Sequence, residues 1–184
     1  TPEECQHIIE IASKSLSPST MIVNNQEVVN PGRSSRSAYL TKNGQLANDN
    51  VIDKLLFKCS ELSGYSKDHF EGLKVVNYQK GQKYGCHHDY FRNHTNFTRV
   101  NGDRILTFFI YLNTLNPEDG GCTNMPKLGI KSKPVAGEAL FWTNMDFEGN
   151  YFEETLHEGQ EILTDVEKWG INLWIREKSY FPKK

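Results

Sequence analysis

Residues 81–91 contain the side chains whose types and spacing are best suited to chemistry. The segment reads Gly-Gln-Lys-Tyr-Gly-Cys-His-His-Asp-Tyr-Phe, and its pattern indicates a β-strand. Because residues two positions apart on a strand face the same side, His87 and Asp89 can bind one metal ion while His88 points away. A histidine and a carboxylate are two parts of the 2-His-1-carboxylate facial triad that holds Fe(II) in non-haem oxygenases. A third ligand must come from elsewhere in the chain.

Length and composition limit the possible functions. The chain has 184 residues, of which 37% are hydrophobic and 24% are charged, as expected for one globular domain over residues 1–184. Its net charge of −2 gives no electrostatic reason to expect nucleic-acid binding. No apolar run approaches the roughly 18 residues that span a bilayer, so we expect no membrane contact from this segment. The chain starts at Thr1 rather than Met, which indicates an excised domain whose targeting segment would lie upstream.

The four cysteines form no recognisable zinc or disulfide pattern. They are widely spaced, at Cys5, Cys59, Cys86 and Cys122. We expect buried thiols; the alternative is one or two disulfides, which would indicate an oxidising compartment. Two Asn-x-Thr sequons, at residues 93–95 and 96–98, are compatible with secretion but also arise by chance.

Helical spacing marks two segments, and short strands fill much of the rest. Thr1-Pro2-Glu3-Glu4 is a capping box that starts a helix, which ends before Ser17-Pro18. A second helix is predicted over residues 50–63, ended by Gly64. Strands are predicted at residues 21–23 and 27–29, as a hairpin, and at residues 73–79, 84–90, 104–113, 140–143, 161–163 and 168–176. This order predicts an α+β, mainly β fold, a sandwich or open barrel with the N-terminal helices packed on one face.

Residues 31–37, Pro-Gly-Arg-Ser-Ser-Arg-Ser, form a polar stretch without periodicity. The simplest interpretation is a solvated loop. The alternative is a mobile lid that closes over substrate and contributes its arginines. The residues alone leave both interpretations open.

The predicted strand Lys168–Arg176 alternates between two kinds of face. One face is apolar and is interpreted as core: Trp169, Ile171, Leu173 and Ile175. The other face carries Lys168, Gly170, Asn172, Trp174 and Arg176. An edge strand with a solvated outer face would look similar, but glycine leaves room and tryptophan is unusual in water. We therefore interpret this face as the wall of a wet cavity.

The third metal ligand is not determined by residue type alone, since the chain has 6 histidines. His7 in the first helix and His69 before the sheet strands are interpreted as structural, and His94 has no assigned role. His157 precedes Lys168 by eleven residues, a spacing that fits one strand, a turn and the start of the next. On its own, a histidine in this position is more often structural than a ligand.

Several motifs then occur in order along the chain. They are Arg33-Ser34-Ser35, the run from Tyr78 to Phe91, Arg104 with Ile110-Tyr111-Leu112-Asn113, Gly120-Gly121-Cys122-Thr123, Ala139-Leu140-Phe141-Trp142, Leu156-His157-x-Gly159, and Lys168-Trp169 with Trp174-Ile175-Arg176. In this order and spacing, the chain resembles the catalytic domain of algal, plant and viral prolyl 4-hydroxylases over nearly its whole length. These enzymes belong to the Fe(II)- and 2-oxoglutarate-dependent dioxygenase superfamily. The resemblance implies a double-stranded β-helix, or jelly-roll, core.

The same resemblance implies three groups of functional residues. The metal ligands, and with them the catalytic centre, would be His87, Asp89 and His157. The 2-oxoglutarate-binding residues would be Lys168, at the distal carboxylate, with Tyr78 and Thr123. The substrate-binding residues would be Tyr84, Arg104, Trp174 and Arg33.

Two departures from the family pattern and one spacing bear on these roles. Cys122 stands where the family usually has glutamate, and the interval from His157 to Lys168 is one residue longer than usual. If the turn did not absorb that residue, Lys168 would face the wrong side of its strand. Arg104 and Tyr111 are seven residues apart, so both can face the site only if a bulge intervenes or Arg104 precedes the strand.

The implied activity is hydroxylation of C4 of peptidyl proline in proline-rich or collagen-like sequences, coupled to decarboxylation of 2-oxoglutarate to succinate and CO2. Fe(II) would be the cofactor, 2-oxoglutarate and O2 the cosubstrates, and L-ascorbate (vitamin C) the reductant. The product would be hydroxyproline. A proline-rich peptide would arrive as a polyproline II helix, which aromatic residues such as Tyr84, Tyr90 and Trp174 bind well.

Two other functions stay open at this point. One is a hydroxylase of the same superfamily that acts on a free amino acid or an alkylated base, and the other is a catalytically silent jelly-roll binding module. The expected partner is a proline-rich peptide or protein and not nucleic acid, and we expect a monomer. The resemblance suggests the endoplasmic reticulum lumen or secretory pathway, whereas the residues themselves leave the compartment open.

Overall fold

The computed structural model describes residues 1–23, 26–42, 45–46, 49–91 and 98–180. The turn of the predicted hairpin at Asn24 and Asn25, the unassigned His94 and the asparagines of both sequons lie outside these ranges.

The helices are α1 (Pro2–Ser13), α2 (Asn50–Ser63) and the short α3 (Thr98–Asn101). The predicted capping box is confirmed, because the Thr1 side chain accepts from the Glu4 backbone N–H and the Glu4 side chain accepts from the Thr1 amine. Asp49 caps α2, and Gly64 ends it in the left-handed conformation at φ 74°. His7 Nε2 lies 2.7 Å from Asp49 Oδ2, so His7 joins the two helices and has the structural role predicted for it.

The strands are short and pair in antiparallel fashion, mostly with strands that are distant in the sequence. Their bounds are β1 (Ser17–Pro18), β2 (Thr20–Val23), β3 (Gln26–Val29), β4 (Arg36–Tyr39), β5 (Thr41–Lys42), β6 (Gln45–Leu46), β7 (Lys74–Tyr78), β8 (Tyr84–His87), β9 (Arg104–Tyr111), β10 (Thr123–Met125), β11 (Ile130–Ser132), β12 (Ala139–Thr143), β13 (His157–Gly159) and β14 (Lys168–Arg176). One sheet has six strands in the order β1-β4-β7-β14-β9-β12, and a second has four in the order β11-β10-β13-β8. The predicted hairpin forms from β2 and β3, and β5 pairs with β6.

The six-stranded sheet separates two cores. On one face, Ile8 of α1 and Leu56 of α2 pack against Phe108 and Ile171 of the sheet. On the other face, a smaller apolar cluster that includes Tyr111 lies between the two sheets, next to a cavity. This arrangement confirms the predicted α+β, mainly β fold with the N-terminal helices packed on one face.

Alternation along β14 divides its side chains as predicted. Ile171 and Leu173 are fully buried beneath the helices, whereas Lys168 and Asn172 line the cavity between the sheets. A strand that is covered on both faces explains why its cavity face mixes polar groups, a glycine and a tryptophan rather than reading as a solvated edge.

A bulge between β9 and β14 settles the spacing of Arg104 and Tyr111. Tyr111 lies opposite Gly170, and the register shifts between Ile175 and Arg176, so that Arg176 lies opposite Arg104. The shift takes up one residue of β9. Both side chains therefore lie on the cavity face, which is one of the two solutions that the sequence allowed.

The strand predicted at residues 161–163 is wrong. Ile162 forms a single bridge, with Gly120, and no ladder. Its side chain is fully buried in the cluster between the sheets. The apolar character of this segment therefore reflects burial of one side chain rather than strand pairing.

The interpretation of residues 31–37 as a solvated loop is also wrong. Arg33, Ser35 and Ser37 are buried, and Ser37 pairs with Val76 in the six-stranded sheet. The Ser35 hydroxyl donates to the Ser19 hydroxyl at 2.9 Å. The segment lacks apolar periodicity because the side chains that it buries are polar. Movement as a lid stays a prediction.

All four cysteines are free thiols, so the disulfide alternative is wrong. Cys5, Cys59 and Cys122 are buried as predicted, whereas Cys86 is exposed. Among the helices of the described ranges, none is both long and apolar enough to cross a membrane.

Candidate active site

Two neighbouring strands of the four-stranded sheet bring two histidines together. Strand β13 pairs with β8 so that His157 lies opposite His87, and their ring centroids are 4.2 Å apart. Strand β8 ends at His87, so the predicted strand over residues 84–90 is too long and Asp89 follows it. The hydroxyl of Thr107 in β9 donates to Asp89 Oδ2 at 2.8 Å. A hydrogen bond from the facing sheet therefore positions Asp89, instead of the regular strand geometry that was expected.

The three side chains direct one donor atom each towards a common point. His87 Nε2 lies 3.8 Å from Asp89 Oδ1, and His157 Nε2 lies 3.8 Å from Asp89 Oδ2. The three ligand atoms all lie within 4.8 Å of one another. Nδ1 of His87 is 2.8 Å from the Gly85 carbonyl and Nδ1 of His157 is 2.8 Å from the Thr155 carbonyl, so both Nδ1 atoms donate and both Nε2 atoms keep a lone pair. Two neutral imidazoles and one carboxylate in this arrangement fit Fe(II).

A chain of buried hydrogen bonds supports the carboxylate. The Trp142 indole Nε1 donates to Asn144 Oδ1 at 3.0 Å, and Asn144 Nδ2 donates to Thr107 Oγ1 at 3.0 Å. Thr107 in turn donates to Asp89, and both Thr107 and Asn144 are fully buried. Partners of this kind fix the orientation of a metal ligand and commonly tune its affinity.

The protonation states suit metal binding. Burial, together with the neighbouring His157, lowers the pKa of His87 to about 3. Burial alone would raise the pKa of Asp89, but His157, His87 and Arg104 together hold it below its usual value. Near neutral pH, His87 is therefore neutral and Asp89 is ionised, which are the forms that coordinate a cation.

His88 points away from the metal ligands, as predicted. Its Nε2 lies 3.2 Å from the Glu153 carbonyl, and its ring stacks on Tyr90 at 4.6 Å. Tyr90 also stacks on Tyr151 at 4.5 Å and is only 6% exposed. Tyr90 is thus part of an aromatic stack inside the protein, and the structure gives no support to its predicted peptide contact.

Lys168 lies in an aromatic enclosure on the facing sheet. It is 1% exposed, and its Nζ lies 5.0 Å from the ring centroid of Phe109 and 5.6 Å from those of Tyr78 and Tyr111. Within the described ranges, no carboxylate pairs with it, and burial lowers the pKa of Lys168 to about 7. Lys168 lies opposite Tyr78 in the pairing of β14 with β7, so the loop after β13 absorbs the extra residue of the His157–Lys168 interval. Lys168 therefore faces the cavity and not the opposite side of its strand.

The cavity connects the metal ligands to Lys168. Its lining comes from both sheets: Tyr78, Tyr84, His87, Phe109, Thr123, Trp142, His157, Gly159, Lys168 and Asn172. The Tyr111 hydroxyl donates to Thr123 Oγ1 at 2.9 Å beside it. The structure thus brings Lys168, Tyr78 and Thr123 together at one cavity with two of the metal ligands, as predicted.

Tyr84 and Arg33 lie on the other side of His87. The Tyr84 ring stacks on the His87 ring with centroids 3.6 Å apart, and Arg33 Cζ lies 4.6 Å from the Tyr84 ring centroid. Arg33 is 5% exposed, and its Nε and Nη2 have no hydrogen-bond partner among the described residues. A buried guanidinium with donors that have no partner in the described part of the chain is costly, which makes Arg33 a candidate for binding a ligand.

Arg104 and Trp174 form a more self-contained group. Arg104 donates from Nε and Nη2 to the two carboxylate oxygens of Glu71 at 2.7 and 2.8 Å, and Arg176 Nε lies 2.6 Å from Glu71 Oε1. Arg104 Cζ lies 3.7 Å from the Trp174 ring centroid. The positive charge of Arg104 is thus balanced inside the protein. Arg104 and Trp174 share the cavity face of the sheet, as expected, but Glu71 was missing from the predicted group.

Comparisons with known proteins agree with this geometry. The family model of the 2OG-Fe(II) oxygenase superfamily matches residues 73–176. That range contains all three candidate metal ligands and Lys168. The chain belongs to the 2OG-Fe(II) oxygenase superfamily. Fe(II) and 2-oxoglutarate are therefore its cofactor and cosubstrate.

The similar proteins narrow the family further. Probable prolyl 4-hydroxylase 10 of Arabidopsis thaliana is 30% identical over 98% of this chain and 67% of its own length. Prolyl 4-hydroxylase 13 of the same plant is 27% identical over 98% of this chain and 69% of its own length. The structure of a viral collagen prolyl hydroxylase from Paramecium bursaria Chlorella virus-1, complexed with 2-oxoglutarate, has a TM-score of 0.74 at 28% identity, and covers 96% of this chain and 91% of that one. Within the superfamily, the chain is a prolyl 4-hydroxylase domain with the predicted jelly-roll core.

For this dioxygenase, sequence reasoning missed the residues that support the site. Thr107 lies on the cavity face of β9, and alternation along that strand was a signal that could have found it. Tyr111 was considered for this face, but its hydrogen bond to Thr123 was not predicted. Asn144 and Glu71 lie outside the strands and touch the site through hydrogen bonds to residues distant in sequence. No local pattern marks such residues.

Proposed function

We propose that this protein hydroxylates C4 of peptidyl proline in proline-rich or collagen-like sequences. The coupled reaction converts 2-oxoglutarate and O2 to succinate and CO2, and one oxygen atom enters the proline. One observation carries the proposal: the His87, Asp89 and His157 cluster opens through its histidines on the same cavity as Lys168, which has no ion pair among the described residues.

His87, Asp89 and His157 would hold the iron through one atom each. With only three protein ligands, such a site would leave room at the metal for the cosubstrates. Iron in such a site supplies the one-electron and O2 chemistry that amino-acid side chains lack. The residues around it keep His87 neutral and Asp89 ionised and hold both in a fixed orientation.

Lys168 would bind the distal carboxylate of 2-oxoglutarate. Its ammonium lies in an enclosure of aromatic rings, where a charge-assisted contact is stronger than in water. Tyr78 and Thr123 would support the cosubstrate from neighbouring positions on the cavity wall.

The substrate peptide would lie along the other end of this face, where Tyr84, Trp174, Arg104 and Arg33 are grouped. A polyproline II helix is stiff and has no internal hydrogen bonds, so aromatic rings can pack on its proline rings at low entropic cost. Tyr84 stacks directly on His87, so a proline ring against Tyr84 would be next to the metal. Arginine donors can hydrogen bond to the free backbone carbonyls of such a peptide.

The test is a coupled assay with Fe(II), ascorbate as the reductant, 2-oxoglutarate labelled at the carboxylate that leaves, and a proline-rich peptide. We expect peptide-stimulated release of labelled CO2 and a peptide mass gain of one oxygen, with 4-hydroxyproline after hydrolysis. The matched control peptide has every proline replaced by alanine. Decarboxylation that free proline or an alkylated base stimulates, but the peptide does not, would overturn the proposal, as would no turnover with any substrate.

A further inference from the structure

Cations outnumber available carboxylates at the outer end of the cavity face. Glu71 is buried and is shared by Arg104 and Arg176, which leaves Arg33 and Lys74 without a buried acid. In the described part of the chain, neither has an ion pair. A group of like charges beneath the surface is costly unless an anion joins it.

The other nearby carboxylates are already occupied. Asp89 faces the metal-binding histidines, and Asp103 accepts from the Phe91 backbone N–H and from the Tyr151 hydroxyl. Glu27 of β3 is exposed and accepts from the Thr20 hydroxyl. None of these acids forms an ion pair with Lys74 or Arg33 in the described part of the chain, and Glu27 and Glu71 act on Lys74 only through longer-range charge interactions.

Lys74 is held in β7 on the same face as Tyr78. It lies opposite Asn172 of β14 and opposite Tyr39 of β4, and it is 3% exposed. Its Nζ lies 5.0 Å from the ring centroid of Tyr39, which is itself 54% exposed. No described residue hydrogen bonds to this Nζ. The ammonium therefore lies directly below the surface rather than in the core.

Arg33 completes the pair. Its Nη1 donates to the Thr20 carbonyl at 3.4 Å, while its Nε and Nη2 have no partner among the described residues. Burial, with the nearby charges of Arg33 and Arg104, lowers the pKa of Lys74 to about 7. The charge of Arg33 adds to the repulsion that Lys74 meets on burial, and an anion bound beside the Lys74 ammonium would offset it.

We infer that Lys74, with Arg33 contributing positive charge, binds an acidic side chain of the substrate peptide. The protein therefore prefers prolines that have a glutamate or aspartate nearby, an inference that rests on the proposed prolyl hydroxylation. Lys74 lies four residues from Tyr78, about 13 Å along the strand at about 3.3 Å per residue. A polyproline II peptide advances about 3.1 Å per residue, so four of its residues span a similar length, and the experiment determines the offset between the acid and the reacting proline.

The test uses acetylated and amidated ten-residue peptides that alternate alanine and proline. One alanine is replaced in turn by glutamate, glutamine or lysine, and kcat/KM is measured together with the position of the hydroxyproline. For wild-type protein, we expect glutamate to exceed glutamine by about tenfold at one offset from the target proline, and the excess to shrink with added salt. Lysine at that offset falls below glutamine.

Variants of Lys74 test whether this residue causes the preference for glutamate over glutamine. Lys74→Gln reduces the glutamate-to-glutamine ratio to near one, and Lys74→Glu turns the preference towards lysine. The matched control is Lys58→Gln, on helix α2 at the opposite face of the sheet, which keeps the wild-type ratio. Thermal melting of each variant verifies folding, and the wild-type ratios remain informative if a variant is unstable.

The outcomes separate this inference from the proposed function. Proline hydroxylation of all peptides with equal glutamate and glutamine values in wild-type protein overturns the acidic site alone. No hydroxylation of any peptide overturns the proposed function. A further peptide with a free C-terminal carboxylate and no glutamate serves as a comparison, and a rate gain with this peptide but not with internal glutamate overturns the assignment to a side chain.

Discussion

Two buried lysines on one face of the six-stranded sheet differ in what surrounds them. Lys168 and Lys74 are 1% and 3% exposed, and burial lowers the pKa of each to about 7. Lys168 is enclosed by three aromatic rings and lines the cavity of the metal ligands. Lys74 is covered by the half-exposed ring of Tyr39 and lies near two arginines. We call the cavity at Lys168 the inner site and the surroundings of Lys74 the outer site. The inner site has a closed shape suited to one small molecule, whereas the outer site is open to a peptide of variable sequence.

The comparison shows how a fold can hold an unpaired cation until a ligand arrives. A buried ammonium without a partner costs free energy, so each lysine destabilises the free protein to some extent. A ligand carboxylate recovers that energy, and any ligand that binds only the folded state also stabilises it. We therefore expect 2-oxoglutarate and an acidic peptide each to raise the melting temperature, through different lysines.

The largest expected effect comes from removing a candidate metal ligand, because the inner site includes the metal and the outer site does not. His157→Ala removes one of three ligands and should reduce turnover by more than about a hundredfold, since even residues that only support a ligand commonly cost about 10–100-fold. Fe(II) titration and the coupled decarboxylation assay measure the loss. His88→Ala is the matched control because His88 points away, and it should keep most activity. Near wild-type turnover in the His157 variant would refute its role as a ligand.

Lys168→Ala should separate the inner site from the outer site. It removes the cation that we assign to the distal carboxylate, and we expect KM for 2-oxoglutarate to rise by roughly a hundredfold, about the strength of one buried charge-assisted contact. KM for the peptide should change little. Lys74→Ala is the control, for which KM for an acidic peptide should rise and KM for 2-oxoglutarate should change little. If the two variants change the same parameter, the division into inner and outer sites is wrong.

The sequence was sufficient for the parts of the molecule that local pattern or motif determines. The Thr1 capping box, the end of α2 at Gly64, the alternation of β14 and the clustering of the three candidate metal ligands were predicted, because each depends on spacing within one short segment or on a motif. The sequence was insufficient where a contact joins distant segments. Glu71 and Asn144 act through hydrogen bonds to residues more than thirty positions away. The segment around Ile162 is apolar like a strand but forms only a single bridge.

A smaller effect is expected from removing the buried hydrogen bond that positions Asp89, which lies after the end of β8. Thr107→Val keeps the shape but removes the hydroxyl that donates to Asp89 Oδ2. We expect about a tenfold loss of Fe(II) affinity and a smaller loss of turnover at saturating iron. Thr107→Ser should restore most of the affinity, which distinguishes loss of the donor from loss of packing. Equal iron affinity in the valine variant would show that Asp89 needs no such support.

The pH dependence of 2-oxoglutarate binding is the finest test of the inner site. With a pKa of about 7, Lys168 is protonated below neutral pH and loses its charge as the pH rises. The bound carboxylate favours the charged form, so above pH 7 binding must take up a proton, and affinity should fall by up to about tenfold per pH unit. Titration of 2-oxoglutarate into the Fe(II) protein without O2, from pH 6 to 9, measures this slope. Lys168→Arg keeps its charge throughout and should bind with little pH dependence, even if more weakly. A flat profile in wild-type protein would mean that the ammonium stays charged in its enclosure, and that its aromatic rings compensate for burial without any ligand.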